Sequence, residues 1–229
     1  MAWFTQDTLD FFAELEQNNN REWFEPNKKR YERSVKQPMK DLAAELIDRM
    51  REFHPNIAMK PSEAVSRIHR DTRFSPDKTP YKNRAYLRIS AEGKNEMARP
   101  GLYFHVDAHM CAIASGVYMP DTAQVSAIRH AIAAEPDTFA ALISDPGFVA
   151  KFGEVQGMRN KILPADLREA ATTQPLIFNK QFFFWGQLES ATILGDDLAD
   201  VVMDHVRAGR PLNAFFEAAL DRAAPNVEA

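Results

Sequence analysis

The apolar positions of this chain change their spacing twice, and the changes divide it into helical, extended and again helical parts. Leu9, Phe12 and Leu15 share a helical face. Val35, Met39, Leu42, Leu46, Met50 and Phe53 recur at helical steps and form a longer stripe. Asn18-Asn19-Asn20 ends the first segment, and Pro26 is placed to open the second. Pro38 is expected to break or kink the stripe, which closes at His54-Pro55. The period then shortens. Ala85, Leu87 and Ile89 alternate with Tyr86, Arg88 and Ser90, and Leu102, Phe104 and Val106 alternate with Tyr103, His105 and Asp107. Met110 to Tyr118 is a third extended run, and Val65 to Arg70 is expected to join the same antiparallel sheet.

Helical spacing returns after Pro120-Asp121, with Val125, Ile128 and Ile132 as its stripe. Asp137 is a candidate cap for a helix carrying Phe139 and Leu142. Leu176 to Leu188 is apolar and aromatic throughout, so period alone leaves helix and strand open there. Leu198, Val201, Val202 and Val206 predict a helix ending at Gly209, and Pro211 a final one carrying Leu212, Phe215, Phe216 and Leu220. The expected fold is α+β: one domain over 1–222, a central antiparallel sheet packed by amino- and carboxy-terminal helices. A flexible tail is expected over 223–229.

Composition narrows the function classes. With 28 Lys and Arg against 32 Asp and Glu, the surface as a whole does not suit coating of nucleic acid or an anionic membrane. No apolar run approaches the roughly 20 residues of a membrane helix, and the start of the chain does not read as a secretory signal. A cytoplasmic protein with no membrane partner is expected. The lone Cys111 lies in an apolar run and reads as packing. Phosphate-loop, dinucleotide, zinc-protease and nucleophile-elbow motifs are missing, and no cofactor is expected.

Against the acidic background, Arg67 to Arg84 is basic: Arg67, Arg70, Arg73, Lys78, Lys82 and Arg84 face only Asp71 and Asp77. Forked guanidiniums in a proline-stiffened loop suit a fixed anion. Arg70, Arg73, Lys78, Tyr81 and Lys82 are the candidate ligand-binding residues, with Asp71 as orienter or base. Arg67, Phe74 and Pro80 are expected to hold the loop, with Arg67 able to pair with Asp71. The favoured reading is an anionic small-molecule site, phosphorylated or carboxylated, with or without catalysis. A nucleic-acid module with Tyr81, Tyr86 or Tyr103 stacking on bases uses the same patch. A scaffold with a purely structural charge network is the third reading.

The same stretch resembles the signature of an uncharacterised protein family, domain of unknown function 2461: Arg-x-x-Arg-Asp-x-Arg-Phe-x-x-x-Lys-x-Pro-Tyr-Lys-x-Asn. Arg67, Arg70, Asp71, Arg73, Phe74, Lys78, Pro80, Tyr81 and Lys82 match, while Arg84 stands at the final Asn position. Asn18 to Phe24, Lys28 to Tyr31, Gly116-Val117-Tyr118 and Pro211-Leu212 also resemble the family. The resemblance implies a single-domain member and brings no activity.

His105, Asp107 and His109, with Tyr103, alternate along one strand, a conceivable metal set that a hairpin turn explains equally well; no metal is expected. Asn18 to Arg21 and Trp23 are weaker pocket candidates. Lys180, within an aromatic block, is expected to snorkel from the core.

Overall fold

The computed structural model describes residues 2–93 and 95–223. Helix α1 (Gln6–Gln17) buries Leu9, Phe11, Phe12 and Leu15. Asn20 caps α2 (Arg21–Tyr31), its Oδ1 accepting from the Trp23 amide at 2.9 Å. That cap starts the helix well before Pro26, which therefore lies inside α2 and does not open it. Pro26 and Glu22 are both exposed, so the carbonyl that loses its N–H partner can be hydrated.

The break expected at Pro38 is absorbed differently. The chain passes from α2 through a π turn, Glu32–Lys36, straight into α3 (Gln37–Met50). Pro38 offers no N–H to the Ser34 carbonyl four residues back. The buried Thr8 hydroxyl donates to that carbonyl instead, at 2.7 Å. The stripe is then completed by Met39, Leu42, Ala43, Leu46, Ile47 and Met50, all buried.

Helix α4 (Pro61–Ala64) precedes the basic segment. Val65 to Arg70 does not form the expected strand. It touches extended neighbours at isolated bridges only, Val65 to Leu87 and His69 to Tyr81. Strands β1 (Arg84–Ile89), β2 (Leu102–Asp107), β3 (Met110–Val117) and β4 (Phe182–Glu189) form an antiparallel sheet in that order. In the β1–β2 pairing Leu87 faces Phe104 and Ile89 faces Leu102, and all four are buried. The ambiguous Leu176 to Leu188 stretch divides into a 3₁₀ turn, Pro175–Phe178, followed by β4.

The long crossover from β3 to β4 carries α5 (Thr122–Ala134), α6 (Pro136–Ile143), α7 (Pro146–Phe152) and α8 (Ala170–Thr173). Asp121 caps α5, its Oδ1 accepting from the Gln124 amide at 2.8 Å. Asp137 sits in the first turn of α6 and caps nothing. The chain ends in α9 (Leu198–Ala223), 26 residues long. None of the helices among the described residues is long and apolar enough to cross a membrane.

Two compact units can be recognised. One comprises Met1–Lys94, Leu102–Ile113 and Gln187–Met203; the other comprises Asn95–Gly101, Ala114–Gly186 and Asp204–Ala229. The first packs α3 against β1 and α1 against β2, around Phe11, Phe12, Leu42, Leu87 and Phe104. The second gathers Ile128, Phe139, Phe148, Phe152, Phe182, Phe184 and Phe216. Apart from Ala223, the tail expected over 223–229 lies outside the described residues.

Two glycines set close approaches in the second unit. Gly116 (φ +97°) lies where the backbone of Phe182 passes, and a Cβ there would sit 2.4 Å from the Phe182 carbonyl oxygen. Gly209 is not a helix end. Helix α9 runs through it and through Pro211, and the Phe184 ring fills the space a side chain at 209 would take, 2.7 Å from a built Cβ. Gly→Ala in a helix interior ordinarily stabilises by about 1 kcal/mol. Here Gly209→Ala is expected to destabilise by about 1–3 kcal/mol, the usual cost of overpacking a core. Urea unfolding measures the sign, and a net gain in stability would show that Phe184 yields.

Candidate functional site

The Asn run anchors the basic segment, and each residue of it has a separate task. Asn18 Nδ2 donates to the Glu14 carbonyl at the end of α1, 2.9 Å away, and Asn20 caps α2. Asn19 reaches across 62 residues of sequence to Tyr81: its Oδ1 accepts from the Tyr81 amide and its Nδ2 donates to the Tyr81 carbonyl, both at 3.0 Å. Asn19 Nδ2 also donates to Asn83 Oδ1 at 2.6 Å. The Tyr81 ring is 2% exposed and stacks on Phe24, centroids 4.1 Å apart at 24°. Its ring is thus part of the core packing. Sequence reading noticed the Asn run but had no signal for so distant a partner.

The loop between Arg70 and Pro80 is closed by its own charges. Arg70 Nη1 donates to Asp77 and to the Thr79 hydroxyl, and its Nη2 lies 3.5 Å from the Ser75 hydroxyl. Asp77 Oδ1 accepts from the Thr79 amide and hydroxyl, at 2.9 and 2.8 Å. The Arg70 guanidinium holds the Asp77 carboxyl down at about 2. Arg73 grips Asp71 bidentately, Nε to Oδ1 at 2.9 Å and Nη2 to Oδ2 at 2.6 Å. That grip likewise holds Asp71 at about 2, so it is a weak proton acceptor near neutrality. Arg67, expected to pair with Asp71, acts on it only through space. Lys78 Nζ donates to the Thr72 carbonyl at 2.9 Å. Pro80 accepts from the Arg70 amide at 2.9 Å. Phe74 does not hold the loop by burial: it is 92% exposed, with the Arg73 guanidinium 5.7 Å from its ring.

Beyond the loop lies the polar face of β1 and β2. The register sets Arg84 opposite Asp107, Tyr86 opposite His105 and Arg88 opposite Tyr103. Lys82 Nζ donates to the Arg67 carbonyl at 2.7 Å, lies 3.5 Å from the Tyr86 hydroxyl and sits 4.9 Å from the Tyr86 ring centroid. Tyr86 and Tyr103 are half-buried, with centroids 5.4 Å apart. Among the described residues, no hydrogen bond or ion pair engages the side chain of Arg67 or Arg84. The structure therefore ties Arg70 and Arg73 internally, and brings Lys82 and Arg84 to the sheet face with two tyrosines.

His105, Asp107 and His109 do not converge. His105 Nε2 lies 2.8 Å from Asp107 Oδ2, whereas His109 turns to Glu16 Oε2 at 2.8 Å. Asp107 Oδ1 accepts from the His109 and Met110 amides, 2.8 and 2.9 Å away, and so caps the hairpin. No three His, Cys, Asp or Glu side chains are grouped to hold a metal among the described residues. Cys111 is fully buried, its Sγ 3.6 Å from the Glu189 carbonyl, and burial pushes its thiol up to about 11. Lys180 is exposed, as snorkelling requires.

Helices on an antiparallel sheet, with a latched basic loop leading into its edge strand, define an α+β protein with a candidate anion site. The family follows from the sequence as a whole. Residues 7–215 match the model of the family described as conserved hypothetical protein (DUF2461), and the chain belongs to that family. None of the curated proteins matches it.

The latch is directly testable. Arg70→Lys keeps the charge but loses the fork that reaches several acceptors. Tryptic cleavage after Arg73 or Lys78 should accelerate about fivefold, the equivalent of about 1 kcal/mol for one lost hydrogen bond. Unchanged nicking would mean that the latch does not hold the loop.

A pH dependence follows from His105. Burial lowers its pKa from 6.5, outweighing the attraction of Asp107. The buried neutral ring therefore contributes stability that is fully present above pH 6.5 and is lost as pH falls through the lower folded value. The melting temperature should drop below pH 6.5, and more shallowly in His105→Gln. Glu16 raises the His109 pKa, which acts in the opposite sense, but that pair is solvent-exposed and contributes little. Identical pH profiles for wild type and His105→Gln would refute the assignment.

Proposed function

We propose that this protein binds an anionic small molecule, bearing phosphate or carboxylate, on the polar face of β1 around Lys82. The observation that carries the reading is the charge balance of the signature segment. Its two carboxylates, Asp71 and Asp77, are taken by Arg73 and Arg70. Of the other cations of the segment, Arg67, Lys78 and Arg84 make no ion pair among the described residues. Gathering like charges on a stable loop and strand is unfavourable unless something offsets their repulsion, and an external anion does so. The backbone of Arg67 lies against Lys82, and Arg84 shares the strand face with Tyr86. In this reading Arg70 and Arg73 shape the loop, while Lys82 and Arg84 meet the ligand.

The test is calorimetric titration with inorganic phosphate, pyrophosphate and citrate. A charged hydrogen bond is worth about 1.5–3 kcal/mol, so Lys82→Ala or Arg84→Ala should weaken binding roughly 10- to 100-fold. Asp71→Asn should not weaken it. If no anion binds, or if Lys82→Ala and Arg84→Ala bind as well as wild type, the segment is a structural clasp.

A further inference from the structure

We propose that residues 156–162 form an open sheet edge on which an acidic peptide docks as an added strand. The proposal uses no residue of the signature segment and stands apart from the anion-binding reading above. In the second unit, this stretch runs beside residues 178–183 without becoming a regular strand. Gln156 and Phe183 exchange both backbone hydrogen bonds, at 2.7 and 3.2 Å. The Lys180 amide donates to the Met158 carbonyl at 2.7 Å, and the Asn160 amide donates to the Phe178 carbonyl at 2.8 Å. Residues 156, 158 and 160 therefore turn backbone groups inward. In an extended chain the groups of the intervening residues point the opposite way. Among the described residues, no backbone hydrogen bond engages Gly157 or Arg159. Such an edge can accept a further strand.

The side chains along the edge decide what kind of strand it takes. Stretches 155–165 and 170–188 contain no Asp or Glu, although acids outnumber bases in the whole chain. Arg159, Lys161 and Lys180 are exposed and make no ion pair among the described residues. Arg129, on α5, adds a buried charge. Its side chain is held by carbonyls: Nε and Nη2 donate to the Asn179 carbonyl at 3.2 and 2.9 Å, and Nη2 to the Phe178 carbonyl at 3.3 Å. A buried charge with no carboxylate on it is weakly screened, so its field reaches the edge. Met158 and Ile162 are 64% and 76% exposed, and they offer apolar contact beside the cations. A second copy of this chain would bring the same cations against themselves, which is how charged edges avoid self-pairing. Nucleic acid would meet the cations but leave Met158, Ile162 and the outward amides unused. An acidic extended peptide uses all three: main-chain hydrogen bonds give affinity, and alternate side chains meet the charges.

A fluorescein-labelled octapeptide of alternating valine and glutamate, titrated with the full chain and read by fluorescence polarisation, tests the proposal. Its valine–lysine counterpart should bind at least about tenfold less tightly, because like charges then meet. Methylating the amides along one edge of the peptide should weaken binding about tenfold or more, the scale of one or two lost hydrogen bonds, while methylating the other edge should change little. The double variant Lys161→Glu, Lys180→Glu should keep the wild-type melting temperature, since both side chains are exposed, and bind the glutamate peptide at least about tenfold less tightly. If the glutamate peptide does not bind at about 1 mM, the proposal fails. It also fails if both methylated peptides bind like the parent, since the contact is then not a strand pairing. An oligothymidylate that binds more tightly than the peptide would overturn it in favour of nucleic acid. Dimerisation of the wild type in sedimentation, abolished by the double variant, would overturn it in favour of a second copy.

Discussion

The bracket that Asn19 places around Tyr81 is the constraint on which the candidate site depends. Tyr81 lies in a segment that is neither helix nor strand, so its amide and carbonyl lack ladder partners of the regular kind. One side chain satisfies both, from a position between α1 and α2. Phe24, in the second turn of α2, adds the stacked ring. Together they fix Tyr81 in position and direction. Lys82 follows at once, and β1 begins at Arg84. A loss at Asn19 would leave two backbone groups to find water and would release the start of β1, where the cations and Tyr86 are held.

The charge pairs of the loop are solvent-facing, and such pairs contribute little stability one by one. Their effect is geometric. Arg70 ties residues 75, 77 and 79 to one guanidinium, and Arg73 turns back onto Asp71. Each pairing occupies a carboxylate of the segment, and Arg67 and Arg84 make no ion pair among the described residues. Arg70 and Arg73, the arginines that look most like ligand groups, are thus themselves paired with the acids. This division also explains why a chain with an excess of acidic residues keeps a basic face on β1.

Much of this was legible from spacing alone. Alternation gave the inward faces of β1 and β2 correctly, because burial on one side imposes a period of two. The long stripe from Val35 to Phe53 reads as a helix; the helix runs as far as Met50, and Phe53 follows in a turn. The errors share a cause: glycine and proline were read as local punctuation, and tertiary partners overrode them. Gly209 looked like an end because it resembles a helix cap, yet it is a notch for Phe184. Pro38 looked like a break, yet a π turn and a distant hydroxyl let the helix continue. The roles within Arg67 to Arg84 were hidden for a related reason. Composition counts charges, but only register and loop closure decide which acid meets which base. Tyr86 and Tyr103 could be placed on polar faces of their strands, whereas their adjacency depends on a pairing offset that no local pattern specifies.

The same logic links the first helix to the site. Thr8 supplies the donor that Pro38 cannot, so the π turn is tolerated only while α1 stays in place. Asp7 adds to this, accepting from the Ser34 hydroxyl and from Arg30, which also holds Glu14 on α1. The Ser34 hydroxyl and the Arg30 guanidinium keep the Asp7 carboxyl below its ordinary range despite partial burial, so the anchor is charged at neutral pH. Anchored there, α1 ends where Asn18 caps its last carbonyls and Asn19 begins its reach to Tyr81. A proline in the first turn of α3 thereby constrains how α1 must lie, and that position delivers the Asn19 amide that holds the beginning of β1. The polar face of β1 owes its geometry to this chain of satisfied backbone groups as much as to the charges displayed on it.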